Sequence, residues 1–169
     1  MKRTILMAAI ILMAVTSLKA QSQLDEAKAK FIYNFTKFFD WPQSERTGDF
    51  IIGVVGSNNV YQELDDFTEG KKVILQQIQV KKFRNADDVT DCHVLYVSKY
   101  RTRDLPDIKN KMNNNTLLIS DSQNGIQKGA ALNFLLVGNR LKYEFAASNA
   151  MSQGLKFSSR IRDMAAKNY

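Results

Sequence analysis

The segment Phe50-Ile51-Ile52-Gly53-Val54-Val55 constrains the fold more than any other part of the chain. It is a continuous apolar run, rich in β-branched residues, with none of the alternation of a strand that faces water on one side. A strand of this kind is covered on both faces, as in a parallel sheet, so helices must lie on two sides of it. Gly56-Ser57-Asn58-Asn59 follows at once and supplies a turn with several N-cap candidates. Val60, Leu64 and Phe67 then recur at helical spacing, and Gly70 closes the helix. Strand, glycine turn and helix together make half of a βαβ unit.

The rest of the chain extends this pattern. Leu24, Ala27, Phe31, Ile32, Phe35, Phe38 and Phe39 fall in one arc of an amphipathic helix, which Asp40-Trp41-Pro42 ends. Its opposite face carries Glu26, Lys30, Tyr33 and Lys37. Ile74 to Phe83 reads as a weaker outer strand, while His93–Val97 and Thr116–Ser120 read as buried ones. Between these two, Asp104 caps a helix with Pro106 in its first turn. Leu132–Val137 and Arg140–Phe145, separated only by Gly138-Asn139, have the spacing of a tight hairpin. A helix from about Ala147 ends at Gly154, and a last one starts at Ser158 or Ser159 with Ile161, Met164 and Ala165 inward. The expected architecture is a three-layer, Rossmann-like α/β fold. Its mixed sheet has parallel strands first and a C-terminal antiparallel hairpin, with helices on both faces.

The N-terminus has a separate logic. Met1-Lys2-Arg3 is a basic head, Ile5 to Val15 is uninterruptedly apolar, and a short polar stretch ends in the small residue Ala20. That order predicts a cleavable signal peptide over residues 1–20, with residues 21–169 forming a single domain. The apolar run is too short for a permanent span, which takes roughly 20 residues. Lys2, Arg3 and Lys19 lie in the leader and no acidic residue does. The chain's 24 basic residues therefore fall to 21 against 17 acidic ones, and the net charge from +7 to +4. Much of the basicity is targeting signal, and an exported chain of this charge is not expected to bind nucleic acid.

Catalytic constellations are missing. One Cys and one His exclude a Cys₄ or Cys₂His₂ zinc site and an intramolecular disulfide. Gly53-Val54-Val55-Gly56 lacks the dinucleotide fingerprint, Gly70-Lys71-Lys72 is no P-loop, and Gly56-Ser57 is no nucleophile elbow. Cys92 and His93 are neighbours at a strand edge, so their side chains point to opposite faces and form no nucleophile–base pair. The carboxylates Asp65-Asp66 and Asp87-Asp88 are sequential pairs and diverge. The expectation is a non-enzyme without metal or cofactor.

Three stretches carry a family resemblance. Ala29-Lys30-Phe31-Ile32-Tyr33-Asn34-Phe35-Thr36-Lys37-Phe38-Phe39-Asp40-Trp41-Pro42 resembles the aromatic, Trp-Pro-terminated opening of the YfiR family. Leu118-Ile119-Ser120-Asp121 with Gly125 and Gly129 resembles its central segment. Tyr143-Glu144-Phe145 followed by Gly154-Leu155-Lys156-Phe157-Ser158-Ser159 resembles its ending. The resemblance implies an exported, usually periplasmic domain that acts by binding. Its members restrain an inner-membrane diguanylate cyclase through that protein's periplasmic sensor region, and so affect cyclic di-GMP and biofilm formation. Lone Cys92 cannot reproduce the intrachain disulfide some members use, Ala146 stands where Asn is common, and Ala130 replaces a glycine.

Two functional expectations result. The first is a periplasmic regulator of a membrane sensor, cyclase or kinase, with Tyr33, Lys37 and Trp41 as contacts, because aromatics beside charge carry binding energy. The second is a periplasmic binder of a small anion, with Ser57, Asn58 and Asp121 at the strand ends, where α/β sheets bind ligands. The exposed edge of the hairpin also suggests a homodimer.

Overall fold

The computed structural model describes residues 21–169; the expected leader lies outside the described residues. Helix α1 runs through residues 21–35. Strands β1 (Phe39–Asp40) and β2 (Phe50–Val55) precede helix α2 (Asn58–Thr68). Next come β3 (Lys72–Val73), β4 (Gln76–Phe83), β5 (Val94–Val97), α3 (Leu105–Lys111) and β6 (Leu117–Ser120). The hairpin is β7 (Leu132–Val137) and β8 (Arg140–Phe145), followed by α4 (Ala147–Ser152) and β9 (Lys156–Phe157). Helix α5 (Ser159–Asp163) and β10 (Lys167–Asn168) end the chain.

One eight-stranded mixed sheet has the order β10-β8-β7-β6-β5-β2-β4-β3, and β1 pairs with β9 in a separate two-stranded antiparallel sheet. Strands β4, β2, β5, β6 and β7 run parallel, whereas β8 is antiparallel to β7 and β3 to β4. The chain leaves β2 for β4 on one side and returns to β5 on the other. The strand order therefore reverses between β2 and β5, the position where open α/β sheets form a crevice.

The apolar runs do what their composition demands. Phe50, Ile52 and Val54 of β2, with Val94 and Tyr96 of β5, face α1 and α2 in one core; Val55, Leu95, Val97 and Leu118 face α3 in the other. Helices thus cover both faces, as the sequence predicts. Each fully buried side chain such as Ile52 or Leu95 contributes about 1.5–3 kcal/mol, so the two-sided cover is the main stabilising feature. The face toward α1 is aromatic: Phe35 meets Phe134 at 5.8 Å and Tyr143 at 4.9 Å between ring centroids.

Three local expectations are corrected. Helix α1 does not reach Phe39. After Phe35 the chain turns, with Thr36 Oγ1 donating to the Tyr33 carbonyl at 2.7 Å, and Phe39 enters β1 opposite Phe157. Met164 lies beyond α5 and is exposed rather than inward. The hairpin edge is only partly open, because β10 pairs with β8 at Glu144 and Phe145.

Candidate functional site

Helix α1 and its surroundings hold the first group of expected contacts. Tyr33 is half-buried and meets Phe67 of α2 edge-on at 5.6 Å, while the exposed Lys37 ammonium lies 4.7 Å from the Tyr33 ring centre. Lys37 also donates to Asn34 Oδ1 at 2.8 Å. On the other side of the same ridge lies a groove of about 690 Å³, with Phe31, Phe38, Leu141 and Met164 among its walls and Lys37 and Lys142 beside them. Tyr143 borders it with its hydroxyl turned inward, donating to the Ile161 carbonyl at 2.7 Å; burial and the nearby Asp163 push that phenol up to about 12.

Trp41 does not belong to this surface, which corrects its expected role as a contact. It is 5% exposed, packs edge-on against Phe50 at 5.0 Å, and donates its indole N–H to the Asn115 carbonyl at 2.8 Å. The chain turns at residues 36–38 and Trp41 enters the core beside Phe39 and Phe50. The Trp-Pro motif is thus a structural clasp between the end of α1 and the start of β6.

The second group is split. Ser57 is the N-cap of α2, its hydroxyl accepting from Val60 N–H at 3.2 Å, and Asn58 is exposed at the first turn. A groove of about 600 Å³ lies outside this turn, with Lys82, Arg84 and Arg101 along it, which gives it positive charge next to a helix N-terminus. Asp121 does not face this groove. Its carboxylate accepts from Lys28 Nζ at 2.7 Å and from the Lys99 backbone N–H, and its side chain is only 7% exposed.

That contact belongs to a buried charge group no motif announced. Lys28 of α1 lies between Asp25, 3.3 Å away, and Asp121 after β6. Gln21 donates to Asp25 at 2.9 Å, and Asn59 approaches it at 3.5 Å. The buried Tyr96 hydroxyl has no hydrogen-bond partner among the described residues; burial and then the carboxylates of Asp121 and Asp25 hold it well above the usual phenol range. A buried lysine flanked by two carboxylates is costly to separate, about 3–5 kcal/mol if one partner is removed. The group pins α1 to the sheet. The signal in the sequence was Asp25 and Lys28, three apart on the apolar side of α1.

Cys92 and His93 point to opposite faces. His93 stacks on Phe50 at 4.4 Å, accepts from Ile51 N–H at Nδ1 (3.0 Å) and lies 2.8 Å from the Glu45 carbonyl at Nε2, so Nε2 carries the proton. Cys92 lies in the other core, and burial pushes its thiol up to about 12. Such a thiol is inert. Among the described residues no group of three His, Cys, Asp or Glu is placed to hold a metal ion, and no helix is long and apolar enough to cross a membrane.

The segments that carry the family resemblance are all parts of this frame. Gln153, next to Gly154 of the ending segment, donates to Gly129 O at 2.9 Å, and its Oε1 accepts from Leu118 N–H, both partners lying in the central segment. Residues 25–166 match the YfiR/HmsC-like family. The chain belongs to that family. No curated protein matches it. For a YfiR/HmsC-like chain, the surface left free by the structural use of Trp41 and Asp121 is the α1 ridge with its groove, and the basic turn before α2.

Proposed function

We propose that this YfiR/HmsC-like protein is a non-catalytic periplasmic regulator that restrains an inner-membrane signalling protein by binding its periplasmic sensor region. The partner is first of all a diguanylate cyclase, through which the protein would influence cyclic di-GMP output. The observation that carries this reading is the apolar groove beside α1, walled by Phe31, Phe38, Leu141 and Met164 and flanked by Lys37 and Lys142. Apolar surface ringed by charge is what a protein partner desolvates and orients against. Tyr33 and Lys37 are the contacts of this reading on the ridge itself.

The test is cross-linking of the tagged protein in its native cells, with mass spectrometry of what is captured. A membrane protein with a cyclase or kinase output domain is expected, and Lys37→Glu should reduce its recovery about tenfold, the effect of 1.4 kcal/mol. Lys37 is exposed, so this change leaves the fold intact. Equal recovery with Lys37→Glu would reject the patch. A second reading, a periplasmic anion binder at Ser57 and Asn58, is favoured by the basic groove of Lys82, Arg84 and Arg101. Capture of the protein alone, with a melting temperature that rises in phosphate, would favour it over the regulator.

A further inference from the structure

One row of side chains breaks the apolar rule of the sheet. Ser120 of β6 stands beside Asn133 of β7, Asn133 beside Glu144 of β8, and Glu144 beside Lys167 of β10. Residues in register share a face, so four polar side chains lie in line across four adjacent strands. Ser120 is fully buried and Asn133 is 4% exposed. Buried polar groups are costly unless each finds a partner. Ser120 finds one in Ser122, Oγ to Oγ at 2.8 Å, and Asn133 Nδ2 donates to Glu144 Oε2 at 3.0 Å. Asn133 Oδ1 finds none among the described residues. Gly125 makes room for that oxygen, since a Cβ there would come within 2.4 Å of it.

Beside this row lies a pocket of about 310 Å³, at the small end of the range for small-molecule sites. The loop between β6 and β7 supplies one wall, with the exposed amides of Gln123, Asn124 and Gln127. Glu144 supplies the other, and Tyr169 donates its hydroxyl to Glu144 Oε1 at 2.9 Å. The loop is held in shape by groups outside the pocket. Asn149 Nδ2 donates to the carbonyls of Ile126 and Ala130, both at 2.8 Å, and Gln153 donates to that of Gly129. A site fixed in this way loses little freedom when a ligand arrives.

The polar groups select the ligand. Among the described residues no Lys or Arg lines the pocket, which disfavours an anion. The acidic charge is offset, which disfavours a cation: Asp121 at the rim is paired with Lys28, and Glu144 stands opposite Lys167. What remains is amides, hydroxyls and one carboxylate, and adjacent hydroxyls of a ligand can both donate to and accept from such a set. We propose that this pocket binds a neutral sugar, a pyranose ring whose neighbouring hydroxyls bridge the amides of Gln123 and Gln127 to Glu144 and the free Asn133 oxygen. The site is independent of the regulator reading. Phe134 and Tyr143, next to Asn133 and Glu144 in their strands, face α1, so the polar row faces the other way.

The experiment is a nuclear magnetic resonance titration of the amide signals, on protein expressed as the full chain and purified in its processed form. The probes are glucose, galactose, mannose and N-acetylglucosamine, each taken to tens of millimolar, with glycerol, putrescine and phosphate as controls. Saturable shifts are expected with at least one of the sugars, at the amides of residues 122–127 and at the Asn133 side-chain amide. Glu144→Gln should weaken that binding about tenfold, because a hydrogen bond to a charged acceptor is lost. Gln127→Ala, at an exposed position, should weaken it severalfold while the amide spectrum elsewhere stays the same. No saturable shift with any of the sugars would overturn the proposal, as would shifts that glycerol reproduces or tighter binding of putrescine or phosphate at these residues. Sugar binding that both variants leave unchanged would overturn it too.

Discussion

Trp41 shows how one residue can be conspicuous in a sequence and invisible on a surface. Its indole joins the turn after α1 to Asn115 before β6, two parts of the chain 74 residues apart. Two substitutions separate its packing from its hydrogen bond. Trp41→Phe keeps an aromatic against Phe50 but leaves the Asn115 carbonyl unpaired, and should cost about 1–2 kcal/mol. Trp41→Ala opens a cavity as well and should cost about 3–5 kcal/mol. Urea unfolding followed by far-ultraviolet circular dichroism gives both values; a Trp41→Ala protein as stable as the parent would mean the indole is not core. The aromatic run and the Trp-Pro were plain in the sequence, but the side on which Trp41 lands depends on a turn that Thr36 makes with Tyr33. Asp121 is similar: its place after a buried strand was readable, while its capture by Lys28 required knowing how α1 crosses the sheet.

Among the elements, the buried strands were the most legible, because a strand covered on both faces has to be apolar throughout. The β7–β8 hairpin was equally plain, as Gly138 at a positive φ of 60° is the residue type such a turn asks for. Strands β1, β9 and β10, of two residues each, leave no periodicity to read. The β3–β4 turn was missed for a chemical reason. Its first central residue is Ile74, at φ 56°, a left-handed conformation that a β-branched side chain rarely adopts and that Gly would accept. Its side chain is mostly exposed, so little packing is lost on removal. Ile74→Gly should therefore raise stability by about 1 kcal/mol, a shift of about 2–4 °C in melting temperature. A fall in melting temperature would show that the strain is smaller than the entropy glycine adds to the unfolded chain.

For the molecule as a whole, the buried acids Cys92, Tyr143 and Tyr96 set the response to alkali. Cys92 holds its proton up to about 12 in the folded state against 9.0 when free, and Tyr143 up to about 12 against 10.0, both first of all through burial. Between those values the unfolded chain gives up protons that the folded chain retains, so stability declines as pH rises from 9 toward 12 and is unaffected by these groups below 9. Each group contributes at most about 1.4 kcal/mol per pH unit. Urea midpoints at about pH 8 and about pH 10.5 should differ for the parent and differ less for Cys92→Ala; an equal drop in both would assign the effect elsewhere. The crossing of α1 over the sheet has another bearing, on the order of events during synthesis. Lys28 finds Asp121 across 93 residues, and Phe35 rests on Phe134 and Tyr143, which the ribosome makes late. Helix α1 can meet Phe67 of α2 early, but its partners on the hairpin come late, and contacts so distant in sequence form slowly. Until then the growing chain stays loose enough to be threaded, and the fold closes only when nearly all of it has arrived.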